Sequence, residues 1–134
     1  MIRALTAVQR MRYNKTYYSD ETREDTAMEN KILPACPVET TLTLISDKWK
    51  VLILRDLLPG TKRFGELKKS VGNVSQKVLT SQLRQMEDSG LLTRTVYPEV
   101  PPRVEYNLTE LGYSLKPVLD AMELWGAEYK ARNS

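Results

Sequence analysis

The chain has 134 residues, 41% hydrophobic and 28% charged, with 20 Lys and Arg against 17 Asp and Glu for a formal net charge of +3. That length suits one domain of about 100–200 residues, and the balance of apolar and charged residues excludes disorder along the whole chain. One cysteine, Cys36, excludes an intramolecular disulfide, and the absence of histidine removes the commonest general base.

A single thiol fits a reducing cytoplasm, which is the expected location. The longest apolar run, Val51 to Leu54, is far short of the ~20 residues of a membrane span, so no membrane partner is expected. Arg3, Arg10 and Arg12 are not followed by the apolar core of a signal peptide. No metal-ligand cluster and no phosphate-binding glycine loop is present, so neither catalytic residues nor a cofactor is expected. Adjacent acids such as Glu87 and Asp88 are most simply solubilising charges near a helix end.

Residues 1–30 differ from the rest, with five basic and five acidic side chains, three tyrosines and few aliphatics. Leu5, Val8 and Met11 have the spacing of a short helix, and a solvated, disordered tail fits equally well. This segment reads as an N-terminal extension to a domain over residues 31–131. The second methionine, Met28, stands just before Asn30–Pro34, which places a candidate domain start there.

Pro37 suits a first helical position, where its missing N–H costs nothing. Val38, Leu42 and Ile45 continue at helical spacing, which predicts a first helix over 37–46. Asp47 is an N-cap for a second helix from Lys48 to Leu58. Trp49, Val51, Leu52, Ile53, Leu54, Leu57 and Leu58 cover most of its circumference, the pattern of a central core helix. Pro59-Gly60 stops it. Phe64, Leu67 and Val71 mark one face of a short third helix. Gly72-Asn73-Val74 forms a tight turn, Ser75 caps a fourth helix running to Ser89, and Gly90 ends it. Helix, tight glycine turn, helix is the helix-turn-helix layout.

Two extended runs follow, Leu91–Tyr97 and Arg103–Leu108, rich in β-branched and aromatic residues. Pro98-Glu99-Val100-Pro101-Pro102 between them is a stiff loop tip, since proline donates no ladder hydrogen bond. A hairpin directly after a helix-turn-helix is a wing. Thr109 caps the last helical region, which Pro117 divides into a short helix to 116 and a second to 131. The expected fold is therefore mainly α with a small antiparallel β-hairpin wing, a winged helix-turn-helix.

Residues 60–106 hold eight cations against five carboxylates, which accounts for the whole charge excess. On the fourth helix Leu79, Leu83 and Met86 point one way, and Lys77, Thr80, Ser81 and Arg84 point the other. A helix offered to a major groove needs such a face, with Ser75 and Gln76 at its start. Arg94 and Arg103 flank the wing tip, and Lys62, Arg63, Lys68 and Lys69 precede the turn, all suited to phosphate contacts. An ordinary solvated face is the alternative for either element taken alone. Together they point to duplex DNA as partner.

Leu115, Val118, Leu119, Met122, Trp125 and Tyr129 form a C-terminal stripe which, with Val38 and Leu42 of the first helix, is expected to make a homodimer interface. Closing the domain's own core is the other use of that stripe. Cys36 is either a small, buried, inert side chain or a redox or electrophile sensor, because a helix N-terminus favours the reactive thiolate.

Cys36-Pro37-Val38-Glu39, Asp47-Lys48-Trp49, Arg63-Phe64-Gly65-Glu66-Leu67, Ser75-Gln76-Lys77-Val78-Leu79-Thr80, Gly90-Leu91-Leu92, the wing string from Val96 to Tyr106 and Leu108-Thr109-Glu110-Leu111-Gly112 resemble the HxlR-type winged helix regulators, relatives of the MarR group. The resemblance spans about Cys36 to Gly126. It implies a cytoplasmic homodimer on a near-palindromic operator, regulating transcription, typically as a repressor, without cofactor or catalysis. It implies that helix 75–89 enters the major groove and that Tyr97–Arg103 is the wing. It also implies that a cysteine at the Cys36 position senses oxidants or electrophiles in some members. With no second cysteine here, a disulfide would join two subunits or a small thiol. The expected partners are thus duplex DNA, a second copy of the chain, and a small-molecule or oxidant inducer. A winged helix that binds protein without DNA affinity is the alternative from another class.

Overall fold

The structure, a computed structural model, describes residues 32–134. The Leu5–Met11 helix and the boundary of the N-terminal extension lie outside the described residues.

Helix α1 covers Pro37–Leu42, with Pro37 in its first turn. It stops short of residue 46, where its threonines turn their hydroxyls back onto the chain. Thr41 Oγ1 donates to the Pro37 carbonyl at 3.2 Å and Thr43 Oγ1 to the Thr40 carbonyl at 2.6 Å, bonds that compete with helix continuation. No residue of α1 is buried. Helix α2, Lys48–Leu57, starts where the Asp47 carboxylate accepts from the Lys50 amide at 3.1 Å. Ile53, Leu54 and Leu57 are fully buried, with Trp49, Val51, Leu52 and Leu58 packed half-buried around them. This is the central helix expected from its circumference.

A two-residue strand, β1 (Lys62–Arg63), leads into helix α3 (Phe64–Val71). The Arg63 amide donates to Glu66 Oε1 at 2.8 Å, which closes the helix start. Helix α4 covers Gln76–Asp88, and Ser75 Oγ accepts from the Val78 amide at 3.1 Å. Leu79, Leu83 and Met86 fix its inner face in the core. Gly90, at φ 83°, supplies the left-handed position that ends it.

Strands β2 (Leu92–Tyr97) and β3 (Arg103–Leu108) form the hairpin, in register from Leu92 opposite Leu108 to Tyr97 opposite Arg103. The sheet order is β1-β3-β2, all antiparallel, with Arg63 opposite Glu105. The short β1 has no sequence signature, because two residues cannot establish an alternation. Leu92, Tyr106 and Leu108 face the core.

Thr109 caps helix α5 (Glu110–Tyr113), accepting from the Gly112 amide at 3.1 Å. Gly112 must be glycine, since a Cβ there would overlap the Leu91 carbonyl oxygen. Helix α6 covers Lys116–Arg132. The break expected around residue 116 is present, but the first helix ends at Tyr113. Pro117 opens the second, where the ring is tolerated. Leu115 and Leu119 are buried in the domain's own core, with Val118 packed against it. These three members of the expected dimer stripe therefore serve the fold first, because the turn at Leu115 brings the start of α6 back over the domain. Among the described residues no helix is long and apolar enough to cross a membrane.

Candidate nucleic-acid interface

The inward anchoring of α4 decides what it shows outward. Ser75, Gln76, Lys77, Ser81, Arg84 and Gln85 are exposed and Thr80 is half-buried. Gln76, Lys77, Thr80, Ser81, Arg84, Gln85 and Asp88 line one shallow concavity along the helix. The sequence-predicted reading residues thus lie together, joined by Gln85, whose Nε2 donates to Ser81 Oγ at 3.4 Å. Gln85 was missed because its helical angle lies at the edge of the predicted face. Among the described residues neither Lys77 nor Arg84 makes an ion pair.

Arg63 and Lys69 are exposed, and Lys62 and Lys68 are half-buried. They sit on β1 and α3, before the turn, and make no ion pair among the described residues.

The wing arginines differ. Arg94 on β2 reaches Glu87 near the end of α4, Nε to Oε1 at 3.4 Å. Arg103 lies over the Tyr97 ring, with the guanidinium carbon 4.0 Å from the ring centroid. Its Nη1 is 3.4 Å from Glu99 Oε2, and its Nε is 3.4 Å from Glu105 Oε2. That Nε is buried and has no hydrogen bond, so the contact to Glu105 is an ion pair without hydrogen-bond alignment. Arg103 flanks the tip as expected, whereas Arg94 sits three pairs back at the base of the wing, and neither is a free cation. The signal was present in the sequence: residues 103 and 105 share a face of a strand, and 97 and 103 pair across a tight hairpin.

Tyr106 stands opposite Arg94. Burial pushes its hydroxyl above the ordinary tyrosine value, Arg94 opposes this, Glu87 adds to it, and Arg84 opposes it. The end of α4 and the base of the wing therefore share one electrostatic neighbourhood.

Away from this surface, Val38, Leu42, Met122, Trp125 and Tyr129 are all exposed. Trp125 and Tyr129 stack with ring centroids 5.2 Å apart. Leu124 is also exposed, on the side of α6 away from the stripe, and no periodicity marked it. Cys36 is exposed in the single chain, at the N-cap of α1. Among the described residues no group of side chains is arranged to hold a metal ion.

The model of the HxlR-like helix-turn-helix family matches residues 44–134. The chain belongs to this family. It is 50% identical over 97 residues to the HTH-type transcriptional regulator YdeP of Bacillus subtilis (strain 168), covering 72% of this chain and 76% of that one. Among solved structures it resembles the redox regulator HypR in its oxidised form, with a TM-score of 0.66 and 44% identity, covering 69% of this chain and 96% of that one. A MarR-family regulator from Porphyromonas gingivalis W83 gives a TM-score of 0.68 and 38% identity, with 70% and 92% coverage. The HxlR-like chain is thus a transcriptional regulator with a helix-turn-helix domain, not an enzyme, and its mainly helical fold with a small antiparallel sheet is the winged helix of those neighbours.

Proposed function

We propose that this HxlR-like regulator binds duplex DNA in the cytoplasm as a homodimer on a near-palindromic operator, typically to repress transcription. The carrying observation is the outer face of α4, where donors and hydroxyls lie exposed and without ion pairs on a helix pinned by Leu79, Leu83 and Met86. Ser75, Gln76, Lys77, Thr80, Ser81 and Arg84 read base edges in the major groove. Lys62, Arg63, Lys68 and Lys69 hold phosphates. Arg94 remains a candidate phosphate contact that must first exchange Glu87 for DNA.

The second copy is supported by α6. Beyond Leu119 the helix exposes Met122, Trp125 and Tyr129 on one side and Leu124 on the other. The Met122, Trp125 and Tyr129 side is a contiguous apolar stripe that a neighbour would cover. The partner's equivalent helix, with Val38 and Leu42 of α1, supplies that neighbour. Two recognition helices then lie one DNA turn apart, about 34–36 Å.

Selection of bound duplexes from a random pool tests DNA binding and symmetry together, with a palindromic consensus expected. Recovery of no consensus, or affinity that stays level between about 50 and 200 mM salt, favours a winged helix that binds protein. A monomeric mass at micromolar concentration rejects the dimer.

The exposure of Cys36 supports a second reading, thiol-based regulation by an oxidant or electrophile inducer. Its likeness to a structure named as a redox regulator points the same way. Oxidation would join Cys36 to the partner subunit's equivalent thiol or to a small thiol. Regulation that persists unchanged in Cys36→Ser rejects this reading.

A further inference from the structure

We propose that Arg103 is a positioning residue that clamps the wing, and that it does not bind phosphate. The proposal rests on the DNA-binding reading above. Three groups enclose its guanidinium: the Tyr97 ring beneath it and the Glu99 and Glu105 carboxylates at 3.4 Å each. The side chain is only 28% exposed. Two carboxylates already engage its charge, so Arg103 offers a phosphate no unpaired cation. Each enclosing group comes from a different part of the hairpin. Tyr97 ends β2, Glu99 belongs to the tip, and Glu105 lies two residues along β3 on the face of Arg103.

The planar guanidinium stacks on a ring and meets two carboxylates at once, a combination that a lysine ammonium does not reproduce. The consequence is a tip held in one place, with Val100 fully exposed at its end. The wing then acts on DNA through the position of its tip. Arg63 on β1 is exposed and stands opposite Glu105.

The test uses the full chain and has two arms. In the DNA-free protein, proton NMR is expected to show the Arg103 methylenes shifted upfield by the Tyr97 ring, and the shift is expected to collapse in Tyr97→Leu. Unshifted methylenes overturn the clamp whether or not the protein binds DNA. The second arm measures affinity for the selected operator duplex between about 50 and 200 mM salt. Arg103→Gln is expected to lower affinity by about threefold or more with an unchanged salt slope. Arg103→Lys is expected not to restore affinity. Glu105→Gln is expected to weaken binding although it removes a negative charge. A salt slope that falls by about 0.9, the amount that one phosphate neutralised by Arg103 would contribute, overturns the proposal. Rescue by lysine, unchanged affinity in Arg103→Gln, or tighter binding by Glu105→Gln does so equally. If the unaltered protein binds no duplex, the DNA-binding reading fails, and the NMR arm still decides the clamp.

Discussion

Helix α4 and the wing carry similar residues and hold them differently. On α4, Lys77 has no acid within a helical turn, and Arg84 makes no ion pair among the described residues although Glu87 and Asp88 lie three and four residues on, with Glu87 paired to Arg94 instead. On the wing, Arg103 finds two carboxylates because the hairpin brings residues 97, 99, 103 and 105 within reach of one another, and Arg94 finds Glu87 because the base of the wing packs beside the end of α4. Helical spacing alone did not pair Arg84 with its neighbouring acids, whereas contacts across the ladder and across the fold paired both wing arginines. The number of cations is therefore a poor guide to the number available for phosphates.

The largest expected effect lies on the helix. Arg84→Ala is expected to weaken operator binding by about 1–3 kcal/mol and to relax preference at one base pair if Arg84 reads guanine. Titration against the operator and single-base variants measures both, and equal affinity throughout would break the contrast with the wing. Next is Ser75→Ala, which removes the acceptor for the Val78 amide and is expected to cost about 1 kcal/mol of stability. Denaturant unfolding measures it, and an unchanged midpoint would show that core packing alone sets the start of α4.

Lys69→Ala is expected to weaken binding evenly across sequences and to lower the salt slope by about 1, as removal of one phosphate-neutralising cation requires. A sequence-dependent weakening would move Lys69 from phosphates to bases. The smallest effect sits where the two regions meet. Burial first, and then Glu87, raise the Tyr106 hydroxyl above its ordinary 10.0, against Arg94 and Arg84. The folded state therefore holds this proton more tightly than the unfolded chain does. The associated stability is complete below pH 10 and is lost as pH climbs from there through the folded value. Tyr106→Phe is expected to flatten the alkaline slope of unfolding free energy, and an unchanged slope assigns it to other groups.

Much of this fold was legible because its signals are local. Asp47, Ser75 and Thr109 each cap the helix expected of them, and Gly90 takes the left-handed turn. A cap needs only a hydroxyl or carboxylate within three residues. The outer face of α4 was legible for the same reason, since helical periodicity alone separates Thr80, Ser81 and Arg84 from Leu79, Leu83 and Met86. Less was legible where a residue's role depends on what lies beside it in space. Helix α1 ended early, in a run of threonines whose hydroxyls add local bonds to its carbonyls. The stripe from Leu115 to Tyr129 divided, with Leu115 and Leu119 entering the domain core while Met122, Trp125 and Tyr129 stay exposed.

The sequence by itself determined the order of the helices and the hairpin, the family, the polar outer face of α4 and the place of the wing, because spacing, caps and turn chemistry act over a few residues. Only the tertiary structure decided that β1 joins the sheet, that Gly112 must lie against Leu91, that Cys36 is exposed, and that Arg103 is enclosed by Tyr97, Glu99 and Glu105. Whether a charge is free or paired depends on distances between side chains. Those distances exist only after the hairpin has closed.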